Sequence, residues 1–155
     1  MSEPLRVQFE VACPVEHAFA VWTSGFGSWW PRDHTVTNEP GAAVVLEGRV
    51  GGRIYERAPD GTEHEWGEVT AWEPPAGLSY LWHLGQQRVT ATQVAIRFHA
   101  TGRDATRIEI EHTGWERLAE RADAMRQRNR AGWDAVIPHF VAALETPYAA
   151  GRKEG

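Results

Sequence analysis

Apolar residues at Leu5, Val7, Phe9 and Val11 alternate with polar ones, a period of two that predicts a half-buried strand over Leu5–Ala12. Pro14 suits the first turn of a helix, where its missing N–H costs nothing. The run PVEHAFAVWT therefore predicts a helix with Ala18, Phe19, Val21 and Trp22 on its inner side. SGFGSWWPRDH, rich in glycine and aromatics, predicts a short helix or loop ended by Pro31, with Trp29 and Trp30 suited to a flexible lid. VVLEGRVGGRIYER then predicts a strand, a turn at Gly51-Gly52 and a second strand.

The stretch IYERAPDGTEHEW, residues 54–66, is more specific. Pro59-Asp60-Gly61 has the chemistry of a type I turn followed by a left-handed glycine bulge, a three-residue loop that pairs Ala58 with Thr62. Counting back along antiparallel strands sets Arg57 opposite Glu63, Glu56 opposite His64, Tyr55 opposite Glu65 and Ile54 opposite Trp66. A two-residue loop would shift the register by one. Arg57 and Glu63 then form a solvent-side ion pair. Glu56 and His64 share the other, inner face with Ile54 and Trp66, which puts a carboxylate among aromatics.

GEVTAWEPPAGLSYLW turns at residues 74–77 and returns with Leu78, Tyr80 and Trp82 on one face. In the last hairpin Val94, Ile96, Phe98 and Ala100 alternate with polar residues, turn at TGRD, and return as Thr106, Ile108, Ile110 and His112. A lone inward histidine such as His112 is more often a hydrogen-bonded core residue than a ligand. From Leu118 to Leu144 apolar residues recur at spacings of three and four, which fits one long amphipathic helix. Gly132 and Pro138 interrupt it chemically, and two helices meeting near Arg130 are the alternative. Arg117, Arg121, Arg126, Arg128 and Arg130 alternate with Glu116, Glu120 and Asp123, which reads as a solvated face rather than an anion site.

The order strand, helix pair, six strands, long helix predicts an α+β arrangement, a curved antiparallel sheet around the final helix. Such a sheet cannot lie flush on one straight helix along its whole length, so a pocket is expected between them. With 155 residues, 42% hydrophobic and 24% charged, the chain has the size of one domain, with a structured core over about 5–145 and a disordered tail at 146–155. A net charge of −5 without a basic, aromatic-interleaved block argues against nucleic acid. No apolar run reaches the roughly 20 residues of a membrane span. One cysteine, Cys13, and no signal-peptide pattern point to the cytoplasm. Eight tryptophans are more than a core alone ordinarily needs, and as a set they suggest an aromatic-lined cavity.

The segments VACPVEHAFAVWT, GFGSWWPRDH, GGRIYERAPDGTEHEWGEVTAWEPPAGLSYLW, TRIEIEHTGWERL and RAGWDAVIPHF resemble the family of proteins similar to the activator of the heat-shock protein 90 ATPase, within the START and birch-pollen-allergen superfamily. The likeness covers roughly residues 5–145. It implies a helix-grip fold: a curved antiparallel sheet gripping a long C-terminal helix, with two short helices after the first strand and an apolar cavity between. Activity is implied far less, because the superfamily includes cyclases, aromatases, lipid carriers and receptors that differ in their polar cavity groups. A co-chaperone of this family uses a second domain for which this chain has nothing left over.

The expected function is binding of a small, largely apolar or aromatic molecule with one polar end. Trp30, Trp66, Trp82, Phe98 and Trp133 would serve as walls, and His34, Glu56, His64 and His112 as polar anchors. If the protein is an enzyme, a cyclase, dehydratase or hydrolase, Glu56 and His64 are its acid and base. A co-chaperone-like role and a homodimer stay open. Asp33, His34, Glu56, His64 and His112 lack the tight spacing of a metal site, GFGSWW follows a helix rather than a strand, and no Gly-x-Ser-x-Gly occurs. No metal, cofactor or nucleophile is expected.

Overall fold

A computed structural model describes residues 3–84 and 87–145; the expected disordered tail at 146–155 lies outside the described residues. Seven strands pair antiparallel in the order β1-β7-β6-β5-β4-β3-β2. They are β1 (Leu5–Val11), β2 (Ala43–Leu46), β3 (Arg53–Arg57), β4 (Glu63–Glu73), β5 (Gly77–Trp82), β6 (Thr92–Gly102) and β7 (Ala105–Thr113). Helices α1 (Val15–Thr23) and α2 (Phe26–Trp29) lie between β1 and β2, and α3 (Ala122–Leu144) follows β7. The sheet curls into a half-barrel around α3, the helix-grip arrangement of the α+β class.

Strand order explains where the tryptophans go. Consecutive strands from β2 to β7 are neighbours, but β1 and β2 occupy opposite edges. Their connection must therefore cross the sheet, and it carries α1 and α2 over the inner face. Phe19, Trp22, Phe26, Trp29 and Trp30 are buried as a result. Trp22 stacks on Trp133 of α3 at 6.2 Å and meets Phe140 edge-on at 4.8 Å. Trp30 reaches Trp66 at 5.5 Å and Trp82 at 5.6 Å. These offset and edge-to-face contacts are the preferred aromatic geometries. The interior expected to be hollow is thus largely filled with rings. The expected lid is part of that filling: Trp29 donates to Val21 O at 2.7 Å and Trp30 to His34 O at 3.0 Å. At the sheet's other end α2 presses on β2 so closely that a Cβ on Gly27 would lie 2.2 Å from Val44 O, which only glycine permits.

The 54–66 hairpin forms as expected. Ala58 N–H donates to Thr62 O at 2.8 Å, and Gly61 has φ +92°. Arg57 pairs with Glu63, Glu56 with His64 and Tyr55 with Glu65. Ile54 then faces Gly67 rather than Trp66, because a bulge at Ile54/Tyr55 inserts one residue. The Arg57–Glu63 ion pair closes at 2.8 Å, with Arg53 sharing Glu63 at 3.0 Å.

Helix α3 runs unbroken past Arg130, Gly132 and Pro138, held by buried Trp133, Val136 and Phe140. The interruption comes earlier, at Ala119 (φ 53°, ψ −123°), inside the 3-10 segment Trp115–Arg121 that leads into α3. Two of its arginines are more than a solvated face. Arg126 donates to Glu3 O at 2.9 Å and Pro4 O at 3.2 Å, and Arg130 reaches Arg6 O at 3.5 Å.

His112 ends the inward row of β7 and is fully buried. Its Nδ1 accepts from the Trp133 indole N–H at 3.2 Å, so the ring proton sits on Nε2, 2.6 Å from Thr92 Oγ1. Thr92 in turn donates to Trp82 O at 3.3 Å. Every polar atom of the ring is used while it is neutral, and burial pushes its pKa down from 6.5 to about 3. Below pH 6.5 the unfolded chain therefore takes up a proton that the folded protein refuses, and stability is lost as pH falls toward 3. The expected contribution is a loss of about 2 kcal/mol between pH 7 and pH 5, at about 1.4 kcal/mol per pH unit. Histidine NMR should show the His112 ring unchanged between pH 8 and pH 4.5 in the folded protein.

Candidate functional site

The buried Glu56 side chain leaves β3 on the inner face, and its partners come from the loop after α2. Oε1 accepts from Val36 N–H at 2.7 Å; Oε2 accepts from Thr37 N–H at 3.0 Å and from the Thr37 hydroxyl. Burial alone would raise its pKa, but the bonds from Thr37 and Val36, with the Trp66 indole N–H nearby, outweigh it and hold the carboxyl below the ordinary glutamate value. Glu56 is therefore an ionised clamp on the 36–37 loop. No hydrogen bond joins it to His64, although the two are register partners. The expected Glu56–His64 acid–base pair does not form, because backbone donors already occupy the carboxylate.

The clamp orders a short segment with chemistry of its own. Pro31 leads into a 3-10 turn, Arg32–His34, closed by Thr35 Oγ1 donating to Arg32 O at 2.7 Å. On it, His34 Nδ1 lies 3.0 Å from Asp33 Oδ1. That bond to His34 is the leading cause holding the Asp33 carboxyl below its ordinary value. An ionised carboxylate only accepts, so Nδ1 carries a proton, and in the neutral ring it is Nε2 that holds the lone pair. Trp30 holds the turn's last residue through the His34 carbonyl, and Glu56 holds the chain two residues on, at Val36.

This segment forms one wall of a groove of about 580 Å³. Asp33, His34, Thr35 and Val36 face Trp82 and Leu84 at the end of β5 and Met125, Arg128, Asn129 and Gly132 on α3. A niche of about 60 Å³ continues inward past Trp30, Trp133 and Val136. The size falls in the range of about 300–1,000 Å³ usual for small-molecule sites. Asn129 Nδ2 donates to Met125 O at 2.9 Å, which leaves its Oδ1 for a ligand donor. A second depression, about 340 Å³ on the outer sheet, is lined by Arg6, Gln8, Ala95, Arg97, Glu109 and Glu111, a charged surface without aromatic floor.

Of the residues singled out from the sequence, the structure brings Trp30, His34, Trp82 and Trp133 to the groove and its niche. Trp66, Phe98 and His112 are core residues, and Glu56 stands behind the groove's loop. His64 is half-buried on β4 and is not among the groove residues. Arg128, Asn129 and Gly132, which the groove also gathers, carry no site assignment in the sequence. A polar residue and a glycine at inward helical positions were the available signal.

The curled sheet closed on α3, with an opening at one end, places the chain in the helix-grip class. Within it, the chain belongs to the family described as Activator of Hsp90 ATPase homolog 1-like protein, which it matches over residues 12–145. No curated protein matches it. Among solved structures it is similar to an anthrahydroquino-gamma-pyrone synthase, at 35% identity and a TM-score of 0.56, covering 78% of this chain and 82% of that one. It is also similar to the self-sacrificing resistance protein CalC from Micromonospora echinospora, at 27% identity and a TM-score of 0.70, covering 92% and 94%. A protein from Nitrosomonas europaea shares the fold at 17% identity and a TM-score of 0.62, covering 92% and 94%.

Two substitutions separate clamp from groove. Glu56→Gln removes the charge but keeps the shape; it should cost about 1–3 kcal/mol in urea unfolding at pH 7 and speed hydrogen exchange at Val36 and Thr37. Because the folded pKa is depressed, this deficit is present above the unfolded glutamate value and should shrink as pH falls through the folded one. At Gly132 an added Cβ meets nothing within 4 Å. Gly132→Ala should raise stability by about 1 kcal/mol through helix propensity while narrowing the groove, and thermal melts with and without ligand separate the two effects.

Proposed function

We propose that the protein is a cytoplasmic binding protein for a planar, polycyclic aromatic molecule bearing oxygen substituents, held between the 33–36 loop and α3. The carrying observation is the groove itself, lined by apolar Trp82, Leu84 and Met125 together with polar His34, Arg128 and Asn129. An aromatic plate gains from burial against the indole, and its oxygen substituents meet acceptors at His34 Nε2 and Asn129 Oδ1 and a donor at Arg128. The 35% identical relative named for the synthesis of an anthrahydroquinone-fused pyrone supports a fused-ring, oxygenated ligand. The neighbour at 27% identity is named as a resistance protein and not as a synthase, which is compatible with a role other than turnover. A partner ATPase has no comparable support.

The test is a titration with 2-hydroxyanthraquinone. Binding should quench tryptophan fluorescence, because Trp82 and Trp30 border the groove and its niche, and should raise the melting temperature by mass action. Gly132→Leu, which fills the groove from α3, should weaken binding at least tenfold without unfolding the chain. Equal binding by that variant, or no binding by the wild type, rejects this reading.

A further inference from the structure

We propose that His34 is a general base in this groove, taking the proton from an acidic hydroxyl of the bound aromatic molecule while Arg128 neutralises the oxyanion left behind. The inference rests on the binding reading above and adds a chemistry to it. The Asp33 carboxylate, 3.0 Å from Nδ1, holds the imidazole in the tautomer whose Nε2 can accept a proton, and it would stabilise the imidazolium that results. Nε2 has no hydrogen-bond partner among the described residues, and the ring lines both the groove and its inner niche. The histidine's own carbonyl is tied to Trp30, so the backbone beneath the ring is fixed by the core.

Arg128 lines the same groove from α3 and makes no ion pair or hydrogen bond with any described residue, unlike Arg126 and Arg130 beside it on the helix. An unpaired guanidinium in a groove that Trp82 also lines suits a developing phenolate. In the step, the ligand O–H bond breaks, the proton bonds to Nε2, and the electron pair remains on oxygen. No oxidant or second reactant is needed. Such an anion can close a ring by bonding to the β-carbon of a conjugated carbonyl, whose π electrons move onto the carbonyl oxygen as an enolate, and the proton on His34 returns to the α-carbon as the enolate collapses. The charged and titratable groups around the ring are Asp33 and Arg32 on its own turn, Arg128 across the groove, and His139, which acts on Asp33.

The experiment uses 2-hydroxyanthraquinone, whose phenol and phenolate absorb at different wavelengths, one pH unit below its own ionisation, where about a tenth of the free dye is ionised. Dye bound to the wild type should be more than half ionised, at least a tenfold shift in the equilibrium. His34→Gln keeps the backbone bond to Trp30 but cannot take the proton; at protein concentrations that saturate the dye, the bound dye should stay protonated. Arg128→Gln should lose part of the shift. Ionisation by His34→Gln equal to wild type overturns the assignment. So does dye that binds the wild type but stays protonated, a result that leaves the binding reading standing, whereas absence of binding removes both. If His34→Gln fails to bind, Asp33→Asn decides: an undiminished phenolate signal there overturns the proposal, and a diminished one supports it.

Discussion

The carboxylate of Glu56 accepting three donors from Val36 and Thr37 is the contact on which the groove depends. A loop between a short helix and an edge strand has no ladder to hold it, and backbone N–H groups near a protein interior must find acceptors. One buried anion supplies them. The cost of burying that charge is offset by the number of bonds it accepts, so the group stays ionised instead of shedding its charge. Through it β3 positions a segment some twenty residues away, and with that segment the imidazole of His34.

Topology supplies the complementary constraint. Because β1 and β2 sit at opposite edges, the helices linking them must bridge the concave face, and their aromatic side chains become the content of the half-barrel. The interior of the grip is mostly occupied by the protein itself, and open volume is displaced to the end where β5 stops at Trp82 and α3 carries Gly132. The packing is not fully reconciled with its polar atoms. The indole nitrogens of Trp22 and Trp66 and the hydroxyl of Tyr80 are buried without a hydrogen-bond partner of good geometry among the described residues. Each such group ordinarily costs about 1–3 kcal/mol, a mark of a core built for ring-on-ring contact more than for polar saturation.

Much of the fold was legible because its signals are local. The Pro-Asp-Gly turn dictated the pairing of Arg57 with Glu63 and Glu56 with His64, and the period of two through Val94–Phe98 and Ile108–His112 marked the inward rows. The slip at Ile54 was not legible, since a bulge leaves no fixed mark on residue type. The burial of Glu56 could be read from its register, but its partners could not: Val36 and Thr37 are backbone donors in an aperiodic loop, and nothing in their identity announces an acceptor. The tryptophans were visible as a set, yet whether they line a space or fill it depends on strand order, which alternation alone does not reveal. For the site, His34 and Trp82 were named from residue type, whereas Arg128 and Asn129 acquire meaning only once α3 is laid beside the 33–36 loop.

The guanidinium groups of Arg126 and Arg130 reach the carbonyls of Glu3, Pro4 and Arg6 along the free margin of β1. An unguarded strand margin is a template on which another chain can extend the sheet. With those acceptors already engaged by bulky cations, a second molecule meets positive charge in place of a receptive ladder. The helix that completes the grip thereby also discourages fibrillar self-assembly, a protection that would weaken with any change turning its arginine side away from the first strand.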